Sequence, residues 1–587
     1  MTRELRNCQN CKAPFAIDAS DFQFYEKMQV PAPTFCPECR MQRRMVWRNE
    51  RSLYRRRCDL CKREIIALYS ASAPFPVYCQ ECWFSDGWDP KRYARDYDFS
   101  KTFFDQFADL FNAVPRPHFY HRNAKEAQYA TYIAESKNVY LSYSIVESEE
   151  IYYSKNIDKS VRLCDCLNTT NSRLCYENVF GDHNYNCRFL AFSRDCIDSW
   201  FLYDCANCKD CVLSVNLRNK QYVIRNEQYS KEDYFKRLKE FDLSSSKNLE
   251  NLQREFATLV RDRALHKYAN TTKCIDATGD NILNTKNVRS AFDSYDLENA
   301  KHVLRFFRSK DSMDVLYTFS GELIYEYANG GRQTYMIRFT LDALENLRHS
   351  DYTDFCNSSS YLFGCIGLRK SEYCILNKQY APDEFRTMRE RIIKHMDEMP
   401  FYGKEGRVYR FGEFFPIELS PFGYNETLAA EHFPITKEKA LARGFPWREP
   451  EEKTYVITVS SEQLPDRIPE TSDEITKQII GCAHKGRCHD HCTTAFRVIP
   501  EEIRLYREMN IPLPRLCPNC RHYQRLAQRN PIKLWHRQCL CDYAVRPNTA
   551  KHTHHPTGRC LNEFETPYAP ERPEIVYCES CYNSEVV

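Results

Sequence analysis

Four cysteine pairs of the form C-x2-C lie near the N-terminus, and no other feature constrains the fold of this chain more. The pairs are Cys8/Cys11, Cys36/Cys39, Cys58/Cys61 and Cys79/Cys82. A C-x2-C pair on a tight turn supplies two thiolates at the separation that tetrahedral zinc requires, and two pairs complete a structural site. Packing alone does not explain four equal pairs. We therefore predict two zinc sites, the first formed by Cys8, Cys11, Cys36 and Cys39, and the second by Cys58, Cys61, Cys79 and Cys82.

The last hundred residues repeat this arrangement in a drifted form. Tyr506, Cys517 and Cys520 follow Tyr25, Cys36 and Cys39 at one constant offset. The predicted ligands of the third site are Cys488, Cys492, Cys517 and Cys520, with Cys482, His489 and His491 as competitors. Those of the fourth site are Cys539, Cys541, Cys578 and Cys581. The cluster His552, His554, His555 and Cys560 is either a further metal site or a solvated loop. The chain should thus carry about four structural zinc ions, and the ribbon-like spacing favours zinc over iron–sulfur clusters.

The middle of the chain carries short apolar runs at intervals of about twelve residues. Val139-Tyr-Leu, Ile151-Tyr-Tyr and Cys187-Arg-Phe are examples, and polar residues separate them. Strands at a fixed period with polar turns are typical of a β-solenoid. The block that ends at Tyr229 and a second that ends at Tyr380 close with nearly the same sequence, and each is followed by a predicted helix. Cys205, Cys208 and Cys211, spaced by three, are interpreted as stacked small side chains.

The predicted fold class is a multidomain, mostly β protein with helical caps, in which treble-clef or zinc-ribbon modules at both ends flank two β-solenoid-like repeat blocks. The predicted domains are a paired zinc module (1–90), an amphipathic helix and connector (91–128), a solenoid-like block (129–229), a helical cap (230–269), a second solenoid-like block (270–380), a helix (381–400), a connector of unknown fold (401–480) and the duplicated zinc module (481–587).

A resemblance supports the zinc assignment. The run Phe24-Tyr25-Glu26-Lys27-Met28, followed by Pro31-Ala32-Pro33-Thr34-Phe35-Cys36-Pro37-Glu38-Cys39-Arg40, resembles the probable zinc-ribbon, or treble-clef, domain of many bacterial proteins. The whole arrangement looks like the uncharacterised multi-zinc-ribbon proteins of candidate-phyla bacteria. The motif covers about the first and the last hundred residues. The resemblance implies a treble-clef fold and brings no established activity with it.

Arginines follow the second cysteine pair of each module. In a treble clef this pair opens a helix, on which arginines three or four residues apart form one stripe. The stripe residues are Arg40, Arg44, Arg48, Arg51 and Arg55, and in the C-terminal copy Arg521, Arg525 and Arg529. Arginine forks match phosphates, and aromatic residues nearby could stack on bases. The stripes therefore predict nucleic-acid binding, with RNA favoured over DNA. The alternative is that these arginines pair with acids elsewhere in the chain.

Composition limits the class of protein. The 587 residues are 42% hydrophobic and include 30 cysteines, and the net charge is +3. No run approaches the roughly 18 apolar residues of a membrane helix, and the N-terminus shows no secretory signal. We expect a cytoplasmic protein, whose thiols are reduced and bind metal rather than form disulfides. Any affinity for nucleic acid must come from local patches.

Three functions remain open at this stage. The first is a non-enzymatic zinc protein that binds RNA or other nucleic acid, and the second is a protein–protein interaction scaffold. The third is a metal-dependent enzyme acting on nucleic acid, with His552, His554 and His555 beside Asp542 or Glu563. Sites filled by four thiolates leave no open coordination position, which disfavours the enzyme. No catalytic residue is predicted.

Overall fold

The computed structural model describes residues 3–318, 321–328, 334–341, 345–449, 455–488, 490–545 and 548–587. The chain forms two compact units. The first unit comprises residues 1–119 and 270–449, and the second comprises 120–269 and 450–587. Each unit therefore combines one terminal cysteine-rich segment with the repeat block that lies farther from it in sequence. The sequence did not indicate this pairing of segments.

Twelve α-helices occur among the described residues. They are Ala19–Met28, Pro37–Met45, Gln80–Phe84, Phe103–Ala113, Lys231–Leu238, Ser246–Arg263, Pro382–Glu398, Leu428–His432, Lys437–Ala442, Pro500–Met509, Pro518–Leu526 and Glu579–Val586. None of the helices that the structure describes has the length and apolar character needed to span a bilayer.

The repeat block of the second unit is built from parallel strands at a constant register. Lys137 pairs with Glu149, and Glu149 pairs in turn with Val161, so each strand meets the one twelve residues further on. Two sheets result, of ten and five strands. The strands are His121–Arg122, Lys125–Gln128, Thr131–Ala134, Lys137–Tyr140, Tyr143–Val146, Glu149–Tyr152, Lys155–Asp158, Val161–Cys164, Leu167–Thr170, Arg173–Tyr176, Tyr185–Ala191, Trp200–Tyr203, Lys209–Val215, Gln221–Ile224 and Glu227–Gln228. We call this set the second-unit ladder.

A shorter period of three residues operates inside each twelve-residue turn of the second-unit ladder. Every third residue from Asn123 to Arg225 has a positive φ, which turns the chain in the left-handed region. Inward positions also recur every third residue and alternate aliphatic with small polar side chains, as in Ile145, Ser148 and Ile151, all nearly inaccessible. The Ser148 backbone N–H donates to the hydroxyl of Ser136 twelve residues earlier. Inward serines therefore accept hydrogen bonds from backbone groups that would otherwise be buried without a partner.

Inward cysteines occupy the same positions in the second-unit ladder. The Cys187 Sγ donates to the carbonyl of Tyr185 at 3.3 Å and to that of Cys196 at 3.4 Å. Cys208 likewise lies 3.4 Å from the carbonyl of Ala206. These thiols donate to backbone carbonyls, and the interpretation of Cys205, Cys208 and Cys211 as stacked small side chains stays a prediction.

The repeat block of the first unit has the same parallel design with less regular strands. Phe292 pairs with Leu304 twelve residues on, whereas Tyr335 pairs with Arg348 thirteen residues on. The strands are Thr271–Lys301, Leu304–Met313, Leu316–Thr318, Gly321–Glu322, Thr334–Tyr335, Leu347–Arg348, Ser359–Phe363, Glu372–Ile375 and Lys378–Gln379. We call this set the first-unit ladder.

Short two-stranded sheets and capped helices complete each unit. The remaining strands are Glu4–Asn7, Pro14–Ile17, Tyr54–Arg57, Glu64–Ala67, Val77–Tyr78, Arg116–Pro117, Leu265–Lys267, Phe401–Tyr402, Val408–Tyr409, Ile480–Gly481, Ala495–Phe496, Trp535–Gln538, Glu563–Thr566 and Ile575–Tyr577. The amphipathic helix predicted within 91–128 is Phe103–Ala113, and it buries its phenylalanines. The helix predicted after Ser230 begins at Lys231, and the Ser230 hydroxyl caps it. The segment 401–480 is divided between the two units.

Candidate metal centres

Each end of the chain gathers cysteines into two sets of four that are compatible with structural zinc. In every set the ligand atoms lie within 4.8 Å of one another. The sets are Cys8, Cys11, Cys36 and Cys39; Cys58, Cys61, Cys79 and Cys82; Cys482, Cys492, Cys517 and Cys520; and Cys539, Cys560, Cys578 and Cys581. Both N-terminal sets consist of the residues that the pair spacing predicted.

Sulfur separations match those of a zinc tetrahedron. Four Zn–S bonds of about 2.3 Å at tetrahedral angles place the sulfurs about 3.8 Å apart. The Cys11 and Cys36 sulfurs are 3.7 Å apart, and those of Cys61 and Cys79 are 3.8 Å apart. Disulfide-bonded sulfurs would lie about 2.05 Å apart. The geometry therefore fits metal ligands rather than disulfides.

The backbone forms the same tight turn around both N-terminal sets. The N–H of Lys12 donates to the carbonyl of Cys8, and that of Lys62 donates to the carbonyl of Cys58. Both lysines adopt a left-handed φ, of 63° and 64°. These turns follow strands Glu4–Asn7 and Tyr54–Arg57 directly. Each turn thus directs the two thiols of the first cysteine pair toward one common point.

All four sets share one further arrangement. The first cysteine of the set accepts a backbone N–H from a cysteine that caps a helix. The donor and acceptor pairs are Cys36 to Cys8 at 3.2 Å, Cys79 to Cys58 at 3.3 Å, Cys517 to Cys482 at 3.3 Å and Cys578 to Cys539 at 3.2 Å. The capped helices carry the fourth cysteine in their first turn. The chain therefore contains four copies of one arrangement, in which a cysteine-capped helix donates a backbone N–H to the first cysteine of the set.

The third set combines three predicted ligands, Cys492, Cys517 and Cys520, with Cys482, which was predicted as a competitor. Cys482 belongs to it, and strand Ile480–Gly481 leads directly into Cys482 as strands do in the other copies. Cys488 lies beside the set, its sulfur 3.6 Å from that of Cys520. The predicted competitor His489 lies outside the described residues. His491 stacks on the ring of Tyr523 with centroids 5.4 Å apart. The strand before Cys482 was the sequence signal for its role.

The fourth set differs from the prediction in one ligand. Cys560 completes it, with its sulfur 3.9 Å from that of Cys578. Cys541, predicted for this position, instead lies 3.4 Å from the Nδ1 atom of His552. The spacing Cys539-x-Cys541 is one residue shorter than in the N-terminal pairs, so the two thiols do not close the same turn.

In each set hydrogen bonds lower the pKa of one thiol, while the pKa values of two others are raised. Burial alone would raise the pKa of Cys58, but backbone N–H donors from Cys61 and Cys79 lower it to about 7. A hydrogen bond with the Cys482 thiol lowers the pKa of Cys517 to about 4, against the effect of burial. Zinc binds the thiolate, so these two thiols are available to a metal at neutral pH. The thiols whose pKa values are raised must release a proton when zinc binds, and in these two sets they are Cys79, Cys82, Cys482 and Cys520.

Helix Pro37–Met45 directs arginines into the interior of the first unit. The Nη2 atom of Arg40 lies 2.8 Å from Oδ2 of Asp314, and the Nη1 atom of Arg44 lies 3.4 Å from Oδ1 of the same carboxylate. The three side chains are at most 2% exposed. Burial would raise the pKa of Asp314, but the two guanidinium groups hold it below its ordinary value. Asp314 lies between strands Leu304–Met313 and Leu316–Thr318 of the first-unit ladder, so these ion pairs attach the helix of the first cysteine set to that ladder.

Arg43 adds a second contact to the same cluster. Its guanidinium bonds Glu326 and lies 2.8 Å from Glu413, and it stacks 4.1 Å from the centroid of Phe35. Burial raises the pKa of Glu326 to about 7, although Arg43 and Arg44 oppose the shift. Arg43 lies off the predicted stripe, so its spacing did not indicate this contact.

The second unit repeats this arrangement with Asp165. The Nη1 atom of Arg525 lies 2.7 Å from Oδ1 of Asp165, and Arg521 bonds the other carboxylate oxygen. The Arg525 guanidinium also donates to the carbonyl of Tyr153 at 3.0 Å. All three charged side chains are at most 3% exposed. Asp165 and Asp314 both occupy a left-handed position of their ladder, with φ of 55° and 61°.

The predicted arginine stripe does not exist as one helical surface. Helix Pro37–Met45 ends before Arg48, which is buried and lies 2.7 Å from Glu50. Arg51 lies in the following turn, and Arg55 lies on strand Tyr54–Arg57. Arg529 follows the end of helix Pro518–Leu526. Among the eight stripe residues only Arg55 is exposed, and Arg51 and Arg529 are partly exposed. The other five are buried and paired with carboxylates, so they do not reach a phosphate.

The three histidines considered for catalysis lie together, whereas the two carboxylates have other partners. Glu563 lies 3.1 Å from His536, and Asp542 accepts the N–H of Ala544. His552 is fully buried and faces thiols.

No known protein-family model matches the chain, and no curated protein is similar to it.

Proposed function

We propose that this protein is a zinc-stabilised scaffold that binds other proteins. In this proposal the two ladders are β-solenoids, and each is attached to a pair of treble-clef zinc modules. The protein lies in the cytoplasm, where its thiols stay reduced. The observation that carries the proposal is the burial of the arginines. Arg40, Arg44, Arg521 and Arg525 neutralise ladder carboxylates, so their role is internal attachment.

The parallel register supports the solenoid assignment. Pairs separated by twelve residues recur from Lys125 to Ile224. Stacked turns of this kind contact only their neighbours and form long, rigid surfaces that suit partner binding. Their interior is filled by small and aliphatic side chains.

An open cleft in the second unit favours a protein partner over nucleic acid. It measures about 940 Å³ and lies between the second-unit ladder and helix Pro500–Met509. Its lining residues include Glu126, Glu150, Glu501, Glu508, Arg162, Arg504, Tyr140 and Tyr152. Four carboxylates against two guanidinium groups repel phosphates, whereas the two tyrosines and the negative charge suit a basic peptide.

Fluorescence anisotropy with two probes tests the proposal. The zinc-loaded protein is titrated with a labelled lysine-rich peptide and with labelled single-stranded RNA at low salt. We expect the peptide to bind, and the variant Glu126→Gln/Glu501→Gln to bind it more weakly. The matched control Glu232→Gln/Glu240→Gln changes two glutamates of the second unit outside the cleft. RNA binding tighter than peptide binding, with a steep loss between 50 and 200 mM salt, would overturn the proposal.

Nucleic-acid binding remains the second candidate because of one surface. Arg55 and Arg57 are both exposed and project from one face of strand Tyr54–Arg57. A pair of arginines is a small patch, so any affinity should be weak. If RNA binds at low salt, Arg55→Ala/Arg57→Ala should abolish that binding, whereas Arg92→Ala, an exposed arginine elsewhere in the first unit, should leave it unchanged.

A further inference from the structure

The last zinc module contains more ligand groups than one ion can use. Beside the set Cys539, Cys560, Cys578 and Cys581 lies a second set, formed by Cys541, His552, His555 and Cys581, with all ligand atoms within 4.8 Å. Cys581 belongs to both sets. Two tetrahedral ions need eight ligand positions, and these seven side chains supply them if Cys581 serves twice. We propose that this module holds two zinc ions, bridged by the Cys581 thiolate.

The atoms of the second set converge on one point. The Nδ1 atom of His552 lies 3.4 Å from the Cys541 sulfur and 3.1 Å from Nε2 of His555. The same Nε2 atom of His555 lies 3.1 Å from the Cys581 sulfur. Two imidazole nitrogens and two thiols form the donor set of the Cys2His2 sites, which zinc fills in a closed tetrahedron.

A buried carboxylate orients the central histidine. The Nε2 atom of His552 lies 2.8 Å from Oε1 of Glu585, and both side chains are nearly inaccessible. Glu585 itself accepts the backbone N–H groups of Thr549 and Ala550. The carboxylate therefore accepts a hydrogen bond from the Nε2–H group, which leaves the Nδ1 lone pair facing the thiols. This carboxylate–histidine pairing is typical of metal-bound histidine.

Helix Glu579–Val586 carries both Cys581, which belongs to both sets, and Glu585, which orients His552. Cys581 and Glu585 are four residues apart, so they lie on the same face of the helix. Amide donors also surround the thiols: Nδ2 of Asn548 lies 3.2 Å from the Cys541 sulfur, and Nδ2 of Asn562 lies 3.4 Å from that of Cys578. Such donors stabilise thiolates in both sets.

His554 lies at the edge of the first set. Its Nε2 atom is 3.2 Å from the Cys581 sulfur and 3.6 Å from that of Cys560. Unlike His552 it is exposed, and no carboxylate partner is described for it. We therefore assign His552 and His555, not His554, to the second ion.

Zinc content of the full-length protein tests the proposal. The variant His552→Ala/His555→Ala should contain about one zinc ion fewer per chain than the wild type by elemental mass spectrometry. The control His536→Ala, an exposed histidine of the same module, should lose none. Glu585→Gln should retain all the zinc but release one ion about 10- to 100-fold more readily to a competing chelator. This difference does not depend on how many other sites are filled, nor on any binding partner.

Cadmium substitution gives an answer even if the double variant does not fold. In the wild-type protein loaded with ¹¹³Cd, a shared Cys581 thiolate should couple two cadmium resonances to each other. Equal zinc content of wild type and double variant, or ¹¹³Cd resonances that are all uncoupled, would overturn the two-ion centre.

Discussion

Removing the charge of Asp165 should selectively destabilise the second unit. In the variant Asp165→Asn the side chain keeps its shape, and asparagine tolerates the left-handed φ of 55°. Arg521 and Arg525 then remain buried without their shared carboxylate. Removing one partner of a buried ion pair costs about 3 to 5 kcal/mol. Arg521 retains Glu502 at 3.7 Å, and Arg525 retains the Tyr153 carbonyl. We therefore expect the lower end, about 3 kcal/mol, or roughly 150-fold in the opening equilibrium.

Native-state hydrogen exchange measures this effect unit by unit. Peptides from helix Pro518–Leu526 and from strand Trp200–Tyr203 should exchange roughly 150-fold faster in Asp165→Asn if they open with the whole unit, while peptides of the first unit remain unchanged. The control Asp195→Asn alters an exposed aspartate at another left-handed position of the second-unit ladder, with φ of 52°. It should change the free energy of unfolding by less than about 0.5 kcal/mol. An equal effect of the two substitutions, or acceleration below about fivefold, would refute the reasoning.

Two other perturbations have defined outcomes. Burial lowers the pKa of His266 to about 4, whereas histidine in the unfolded chain has a pKa near 6.5. As the pH falls, the unfolded state therefore binds the proton first. The free energy of unfolding of the second unit should fall by about 2 kcal/mol between pH 7 and 5. Urea unfolding at both pH values should show this loss shrinking in His266→Gln, and an unchanged pH dependence would contradict the assignment. Cys36→Ser should lose about one zinc ion per chain, whereas Cys274→Ser, a ladder cysteine whose thiol donates to backbone carbonyls, should lose none; equal zinc loss in the two variants would contradict the ligand assignment.

Local pattern predicted the cysteine sets where the spacing was regular. Four equal C-x2-C pairs identified both N-terminal sets in full. In the C-terminal copy the spacing of the cysteines has drifted, and the tertiary structure determines which of them belong to the fourth set. Strand Glu563–Thr566 pairs with Trp535–Gln538, and this pairing places Cys560 beside Cys541 and within the fourth set. Such a contact between distant segments leaves no trace in the spacing of the cysteines.

The internal role of the arginines could not be derived from spacing. A helix of nine residues cannot carry a stripe from Arg40 to Arg55, and its C-terminal limit was not visible in the sequence. The partner carboxylates lie hundreds of residues away, Asp314 for Arg40 and Asp165 for Arg521, so only the tertiary structure identifies them. The twelve-residue period was visible, whereas the finer period of three was hidden because its left-handed positions carry many residue types.

Arginine-specific labelling with phenylglyoxal, read by mass spectrometry, tests the central claim most directly. The claim is that the zinc modules are fastened to the ladders by buried arginines. In the zinc-loaded protein Arg40, Arg44, Arg521 and Arg525 should remain unmodified while Arg55 reacts, and removal of zinc by a chelator should expose the four protected residues. Labelling of Arg521 and Arg525 in the zinc-loaded protein at the rate of Arg55 would contradict the account.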